Sequence, residues 1–91
     1  MRVAMKYRSR NEIVADILSS AKNVEGVTKT KIMYEAFLSF AQLKDYMSML
    51  LENGMLEQTS SSKYRITDKG VRMLETYDRL NDIVGREVSG R

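Results

Sequence analysis

Apolar residues recur with helical spacing in several segments of the chain. Ile13, Ile17 and Leu18 follow one another at i, i+4 and i+5. Ser9 and Glu12, which precede these residues, have the spacing of a capping box. The pattern predicts a first helix over residues 10–22, ended by the segment NVEG at 23–26, with a short strand at 27–28.

Two further helices are predicted in the middle of the chain. The first covers residues 29–36, with Thr28 or Thr30 as its cap, and partly buries Ile32, Met33 and Phe37. The second begins after a capping box of Ser39 with Gln42 and ends at 53–54, where a glycine suits the left-handed position that follows a helix. Its expected apolar face consists of Phe40, Leu43, Met47, Leu50 and Leu51, with Tyr46 at its edge.

The periodicity changes after residue 54. Residues 55–59 are short and partly alternating, 60–62 are three serines, and residues 63–66 alternate strictly, with Tyr64 and Ile66 on one face. This pattern predicts two strands joined by a serine turn, which together form the wing. Thr67 caps a last helix over 68–84, which Gly85 is expected to end.

This order of elements indicates a mainly α fold with a small β-hairpin: a winged helix-turn-helix followed by a C-terminal dimerisation helix. The length predicts a single domain over residues 1–91. We divide it into a basic arm (1–8), the winged helix-turn-helix (9–66), the C-terminal helix (67–84) and a frayed tail (85–91).

Composition argues against catalysis. The chain contains neither cysteine nor histidine, which removes disulfides, thiolate nucleophiles, histidine acid–base chemistry and nearly every zinc site. Its acidic residues are scattered without a paired constellation. We therefore expect a protein that is not an enzyme, with no catalytic residue, metal or cofactor and no evident small-molecule substrate. No apolar run could span a membrane, so we expect a cytoplasmic, nucleoid-associated protein without a membrane partner.

Positive charge is concentrated near the N-terminus. Residues 1–31 carry seven Lys or Arg against three acids, a balance of +4, and residues 32–91 carry eight against nine, a balance of −1. A basic segment on a near-neutral body favours a localised anionic partner, and double-stranded DNA is the partner that this fold predicts. The alternative is a basic tail that is merely solvated.

Candidate DNA contacts follow from the docking of such folds. The N-terminal part of the third helix would approach base edges through Ser39, Gln42, Lys44 and Ser48, with Gln42 suited to adenine and Lys44 to guanine or phosphate. Asp45 opposes phosphate there, and the alternative for this face is solvent or a protein partner. The remaining candidates are expected to meet the phosphate backbone or a groove: Lys29, Lys31 and Tyr34 at the second helix, Lys63 and Arg65 in the wing, and Arg8 and Arg10 with Arg2 and Lys6 in the arm.

The last helix has more apolar surface than one packed face requires. Val71 and Leu74 can face the core, whereas a second set follows heptad-like spacing. We expect this second set to form a homodimer interface, and the alternative is a helix that buries both sets against the first helix of its own chain. The interface residues are Met73, Tyr77, Leu80, Ile83 and Val84.

The segments EIVADIL, KTKIMYEA, LKDYMSMLLENGML and ITDKG, spread over residues 10–84, resemble the small archaeal winged-helix DNA-binding proteins, a family that includes a ten-kilodalton chromatin-associated protein of crenarchaea. The resemblance implies homodimerisation through the C-terminal helix and sequence-tolerant or regulatory DNA binding. The chromatin-type relative has a long C-terminal helix that forms an antiparallel coiled coil. Here only 24 residues follow Thr67, with Gly85 and Gly90 among them, and the net charge is only +3. These departures favour a site-specific regulator.

The sequence is therefore compatible with several functions. The leading hypothesis is a dimeric transcriptional regulator that binds DNA. The alternatives are a chromatin-associated, sequence-tolerant DNA binder and a winged-helix adaptor between proteins. RNA binding would require exposed aromatic residues for stacking on bases, and Tyr7, Tyr34 and Tyr64 are the candidates.

Overall fold

The computed structural model describes residues 8–89, with side chains up to Val84. In this part of the chain, helices surround one face of a small antiparallel sheet. The elements are, in order, α1 (Arg10–Ser20), β1 (Val27–Thr28), α2 (Lys29–Glu35), α3 (Phe40–Glu52), β2 (Leu56–Ser60), β3 (Lys63–Ile66) and α4 (Asp68–Ser89).

The N-termini of α1 and α3 are fixed by the predicted capping boxes. Ser9 Oγ accepts from the backbone N–H of Glu12 at 3.1 Å, and the Glu12 carboxylate accepts from the Ser9 N–H at 2.7 Å. Ser39 and Gln42 make the same reciprocal pair at 3.1 and 3.0 Å. A cap of this kind stabilises a helix by roughly 1 kcal/mol, which explains why both starts could be placed from the sequence.

The C-termini of α2 and α3 end in the same hydrogen-bonded turn, but with different residues. After α3, Gly54 takes a φ of +75° and the Met55 N–H donates to the Leu50 carbonyl at 2.9 Å. After α2, Phe37 takes the left-handed position with a φ of +56°, and the Leu38 N–H donates to the Met33 carbonyl at 3.0 Å.

The side chain of Phe37 is 64% exposed, so the predicted partial burial of this residue is wrong. In the left-handed conformation of Phe37 the chain leaves the helix axis, and the next residue, Leu38, is buried in its place. The helix consequently ends at Glu35, one residue before the predicted end.

The sheet has three strands in the order β1-β3-β2. The predicted hairpin pairs Leu56 with Ile66, and the short strand β1 adds to its other side by pairing Val27 with Tyr64. A bulge lies between Gln58 and Ser60. Because β1 immediately precedes α2, this pairing holds the start of α2 beside the wing.

The core lies between the helices and one face of the sheet. Its largest fully buried side chains are Ile17, Leu18, Ile32, Leu50 and Leu56, which come from α1, α2, α3 and β2. Tyr64 and Leu74 add β3 and α4 to the same cluster. Burial of each large apolar side chain contributes on the order of 2 kcal/mol.

The helix α4 has a packed part and a projecting part. Leu74 is buried, and Met73 and Tyr77 pack partly against the core. Burial, together with the carboxylates of Glu12 and Asp16 on α1 and of Asp78, raises the pKa of the Tyr77 phenol above its ordinary value. The ring therefore lies beside α1.

The later residues of α4 are more exposed. Leu80, Ile83 and Val84 are 59%, 51% and 50% exposed. The helix also continues to Ser89, so the prediction that Gly85 ends it is wrong. A glycine within a helix costs about 1 kcal/mol relative to alanine, which is too little to stop a helix by itself. No helix in the described part of the chain is both long and apolar enough to cross a membrane.

Gly70 brings α4 close to the chain that enters the wing. A Cβ at this position would overlap the carbonyl oxygen of Met55 and would lie 2.7 Å from Cγ1 of Ile66. The carbonyl of Met55 is itself fixed, since it accepts from the Thr67 N–H at 3.0 Å. The glycine of the ITDKG segment is thus required by this close approach.

We expect Gly70→Ala to lower the free energy of unfolding by roughly 1–3 kcal/mol, because an added methyl group would overpack this contact. Urea denaturation followed by circular dichroism measures the change. Gly85→Ala, in the same helix, is the matched control and should leave stability unchanged or raise it by up to about 1 kcal/mol. Equal stability of the Gly70→Ala variant and the unsubstituted protein would contradict the contact.

Candidate functional site

The helix α3 packs through one side and leaves two other sides exposed. Leu43, Met47 and Leu50 face the core. Lys44 and Ser48, one turn apart, are exposed and lie together on one side of the helix.

The side that carries Lys44 and Ser48 borders an open groove of about 480 Å³. Its walls combine apolar side chains of α3 with two ammonium groups. Among the residues that the structure describes, no acidic one lines this groove. The lining residues are Lys29, Phe40, Leu43, Lys44, Met47, Ser48 and Leu51.

A second depression connects the start of α2 to the wing. It is lined by Thr28, Lys29, Thr30, Ser61, Ser62 and Tyr64. Lys29 belongs to both depressions, and its Nζ lies 5.6 Å from the centre of the Tyr64 ring. We call the combined area of Lys29, Phe40, Lys44, Ser48, Ser61 and Ser62 the α3–wing surface. These six residues supply two cations and three hydroxyl groups, and the described side chains that line the two depressions include no carboxylate.

Phe40 belongs to this surface, although its spacing predicted a position on the apolar face of α3. Its side chain is 74% exposed. The residue lies one turn before Leu43, the first buried position of α3, so it projects beyond the core although it falls near the apolar side of the helix. Its position directly after the cap Ser39 was the one signal that could have indicated exposure.

Ser39 and Gln42 are exposed as predicted, but they are engaged with each other. The side-chain oxygen of Gln42 accepts from the Ser39 N–H at 3.0 Å, which occupies one of the two acceptor positions of that oxygen. Two-point pairing with adenine uses both the oxygen and the NH₂. Gln42 is not among the residues that line the groove bordered by Lys44, and its adenine contact stays a prediction.

Lys31 and Lys63 lie together in another depression, with Glu25 among its lining residues. Lys31 also pairs with Glu35 at 3.4 Å across one turn of α2. Both lysines are exposed, but acidic side chains moderate the local charge. Tyr34 is 70% exposed on α2 and stays a predicted phosphate contact.

Arg65 is held within the wing. Its Nε donates to the Glu57 carboxylate at 2.6 Å, and a terminal nitrogen donates to the Val24 carbonyl at 2.9 Å. Glu57 lies directly opposite Arg65 in the β2–β3 register, so the pair spans the hairpin. The side chain thus joins the hairpin to the α1–β1 loop, and the DNA contact of Arg65 stays a prediction.

Arg10 lies on the other side of α3 from Lys44. Its guanidinium is 5.9 Å from the centre of the Tyr46 ring, in a small depression that includes Asp45. Asp45 is thus close to Arg10 and lies outside the groove of Lys44. The predicted arm residues Arg2 and Lys6 lie outside the described residues.

The comparisons with known proteins agree with this architecture. Residues 7–85 match the winged helix-turn-helix family. The chain belongs to that family. Two uncharacterised proteins of Methanocaldococcus jannaschii are 36% and 30% identical to it, over 80% and 85% of this chain. The alignments cover 34% of the first relative, about a third of its length, and 77% of the second.

Solved winged-helix structures superpose on the chain. Sso10a-2, a DNA-binding protein from Sulfolobus solfataricus, has a TM-score of 0.75 and 25% identity, covering 91% of this chain and 88% of its own. A mutant of MepR from S. aureus has a TM-score of 0.72 over 96% of this chain and 67% of its own, and at 10% identity it shows the shared fold alone. The predicted fold class and the resemblance to archaeal winged-helix proteins are confirmed.

Arg8 fixes the turn of this helix-turn-helix. One terminal nitrogen donates to the Asp16 carboxylate and to the Ala36 carbonyl, both at 2.7 Å, and the other donates to the Phe37 carbonyl at 3.0 Å. Only 14% of the side chain is exposed. The two terminal nitrogens of Arg8 thus join α1 to the end of α2, and the DNA contact of Arg8 stays a prediction.

We expect Arg8→Ala to lower the free energy of unfolding by roughly 2–3 kcal/mol, since it leaves the two carbonyls of the turn without their charged donor. Arg8→Lys should recover part of this loss, because one ammonium group lacks the fork of the guanidinium. Arg10→Ala is the matched control and should cost about 1 kcal/mol or less, as its contacts are exposed. Urea denaturation measures all three, and equal losses for Arg8→Ala and Arg10→Ala would contradict the role of Arg8.

Proposed function

We propose that this protein binds double-stranded DNA through the α3–wing surface and acts as a dimeric transcriptional regulator. The observation that carries the proposal is the local charge of this surface. Lys29 and Lys44 border one groove whose lining, in the described part of the chain, includes no acidic residue, although the net charge of the whole chain is only +3. An anionic backbone can approach there without meeting a carboxylate.

The arrangement agrees with the docking of a helix-turn-helix. In this docking the second helix of the motif enters the major groove while neighbouring groups hold the phosphates. Here α3 would be the recognition helix. Lys29 at the start of α2 and the hydroxyls of Ser61 and Ser62 in the wing turn would contact the backbone on one side of it. The similarity to Sso10a-2, a DNA-binding protein, supports the same partner.

We expect Lys44→Ala and Lys29→Ala each to weaken binding to a duplex by about tenfold, since a hydrogen bond to a charged group contributes roughly 1.5 kcal/mol or more. Each should also reduce the slope of log affinity against log salt by about one, because one fewer counterion is released. Fluorescence anisotropy at several salt concentrations measures both quantities.

Lys22→Ala removes the same charge from an exposed position outside the surface and serves as the control. Its affinity and salt slope should stay close to those of the unsubstituted protein. The assigned surface is wrong if the double variant of Lys29 and Lys44 binds as well as the Lys22 variant. Comparison of the affinities for random and for selected genomic fragments then distinguishes a site-specific regulator from a sequence-tolerant chromatin protein.

The proposed homodimer uses the projecting part of α4. Leu80, Ile83 and Val84 are all at least half exposed, and Ile83 and Val84 follow Leu80 by three and four residues, so both lie beside it on the helix surface. A second copy that pairs with this area would cover it. Met73 and Tyr77 already pack partly against their own domain, so we place them at the edge of the interface. Two linked domains would present two recognition helices to an extended or palindromic site.

We expect Leu80→Glu to convert a dimer to a monomer, because it would place a charge in an apolar interface. Light scattering at micromolar concentration measures the mass. Val24→Glu is the control: Val24 is an isolated residue on the α1–β1 loop, 82% exposed, and its substitution should leave the dimer intact. A monomeric mass for the unsubstituted protein would refute the dimer while leaving DNA binding through the α3–wing surface to be judged separately.

A further inference from the structure

The first turn of α3 presents apolar atoms where a recognition helix usually presents polar ones. Phe40 and Ala41, the first two residues of the helix, are both exposed, and Phe40 is 74% exposed. Packing does not account for Phe40, since the core begins one turn later at Leu43. An exposed phenyl ring at this position therefore calls for a ligand that has an apolar group.

The charge around Phe40 restricts the kind of ligand. The ring lines the same groove as Lys29 and Lys44, and none of the described residues that line this groove is acidic. In a symmetric contact between two copies, each groove would meet an identical groove, which would bring like charges together. The surface instead fits a polyanion that carries an apolar group within reach of the helix N-terminus.

The major groove of DNA meets this description. Among the base edges displayed there, only thymine offers a methyl group, and phenylalanine and alanine are among the side chains that contact it. The N-terminal residues of a recognition helix are those that come nearest to the base edges. We infer that Phe40, with Ala41 beside it, contacts the 5-methyl group of thymine and that the protein distinguishes thymine by this methyl group. The inference rests on the proposed binding of DNA through α3.

The experiment removes the methyl group without changing the hydrogen-bonding edge. Two short duplexes of alternating adenine and thymine are compared, one of them with uracil in place of thymine. The unsubstituted protein should bind the uracil duplex about fourfold more weakly for each methyl group in contact, from the usual effect of burying one methyl group. Phe40→Ala should bind the two duplexes with nearly equal affinity, because the ring that contacts the methyl group is absent.

A second pair of duplexes adds the methyl group elsewhere. Replacement of cytosine by 5-methylcytosine in a G·C duplex introduces a methyl group into the major groove. The unsubstituted protein should bind the methylated duplex more tightly, and Phe40→Ala should not. Because each comparison is made between variants, differences in duplex shape between the paired DNAs cancel.

Phe37→Ala is the matched control. Phe37 is also an exposed aromatic residue of the helix-turn-helix, but it is not among the residues that line the groove of Phe40. This variant should keep the preference for thymine over uracil. Loss of the preference in Phe37→Ala, together with its retention in Phe40→Ala, would overturn the assignment to Phe40.

The remaining outcomes separate this inference from the proposed function. If the unsubstituted protein binds the thymine and uracil duplexes equally, with an affinity that depends on salt and Lys44, methyl recognition is refuted and DNA binding stands. If neither duplex binds in a salt-dependent way, both proposals fail. If Phe40→Ala changes the mass of the protein in the absence of DNA, a second copy covers the ring and the inference is refuted.

Discussion

The turn between α2 and α3 is the constraint on which the arrangement of this domain depends. A phenylalanine occupies its left-handed position, at a cost of roughly 1–2 kcal/mol relative to glycine. Burial of Leu38 on one side and two hydrogen bonds from Arg8 to the Ala36 and Phe37 carbonyls on the other hold the turn in place. Arg8 also contacts Asp16 on α1, so the turn is attached to α1 and through it to the core. The angle between α2 and α3 is therefore fixed relative to the core. The direction in which α3 presents Lys44 follows from this turn.

The distribution of ion pairs explains how a nearly neutral body can present a cationic surface. Arg65 is paired with Glu57 inside the wing, and Lys31 with Glu35 along α2. These pairs are exposed, so each contributes at most about 1 kcal/mol to stability. Their larger effect is to neutralise charge locally. Among the described residues, Lys44 forms no ion pair and thus keeps its full charge in the groove.

The helix α4 serves the fold and projects beyond it. Its first turns are fixed by the close approach of Gly70 to Met55 and by burial of Leu74. Its later turns, from Leu80 onward, lie past the core and carry apolar side chains that the domain itself does not cover. A helix of 22 residues is roughly 33 Å long, and the residues that pack against the core, Met73, Leu74 and Tyr77, all lie in its first half. The excess length gives a second surface without a second domain.

The local chemistry of the chain was sufficient to predict the elements. Capping boxes, the glycine after α3 and strict alternation in β3 depend on residues within a few positions of one another, so all of them could be read from the sequence. The sequence could not show which Lys and Arg side chains remain without a partner in the folded protein. Whether Arg8 or Lys44 is available depends on carbonyls and carboxylates that lie 8–29 residues away along the chain and meet only after folding. The exposure of Phe40 also depends on the tertiary structure. Helical periodicity predicts which side of a helix a residue lies on, but it does not predict how far the core extends along the helix axis.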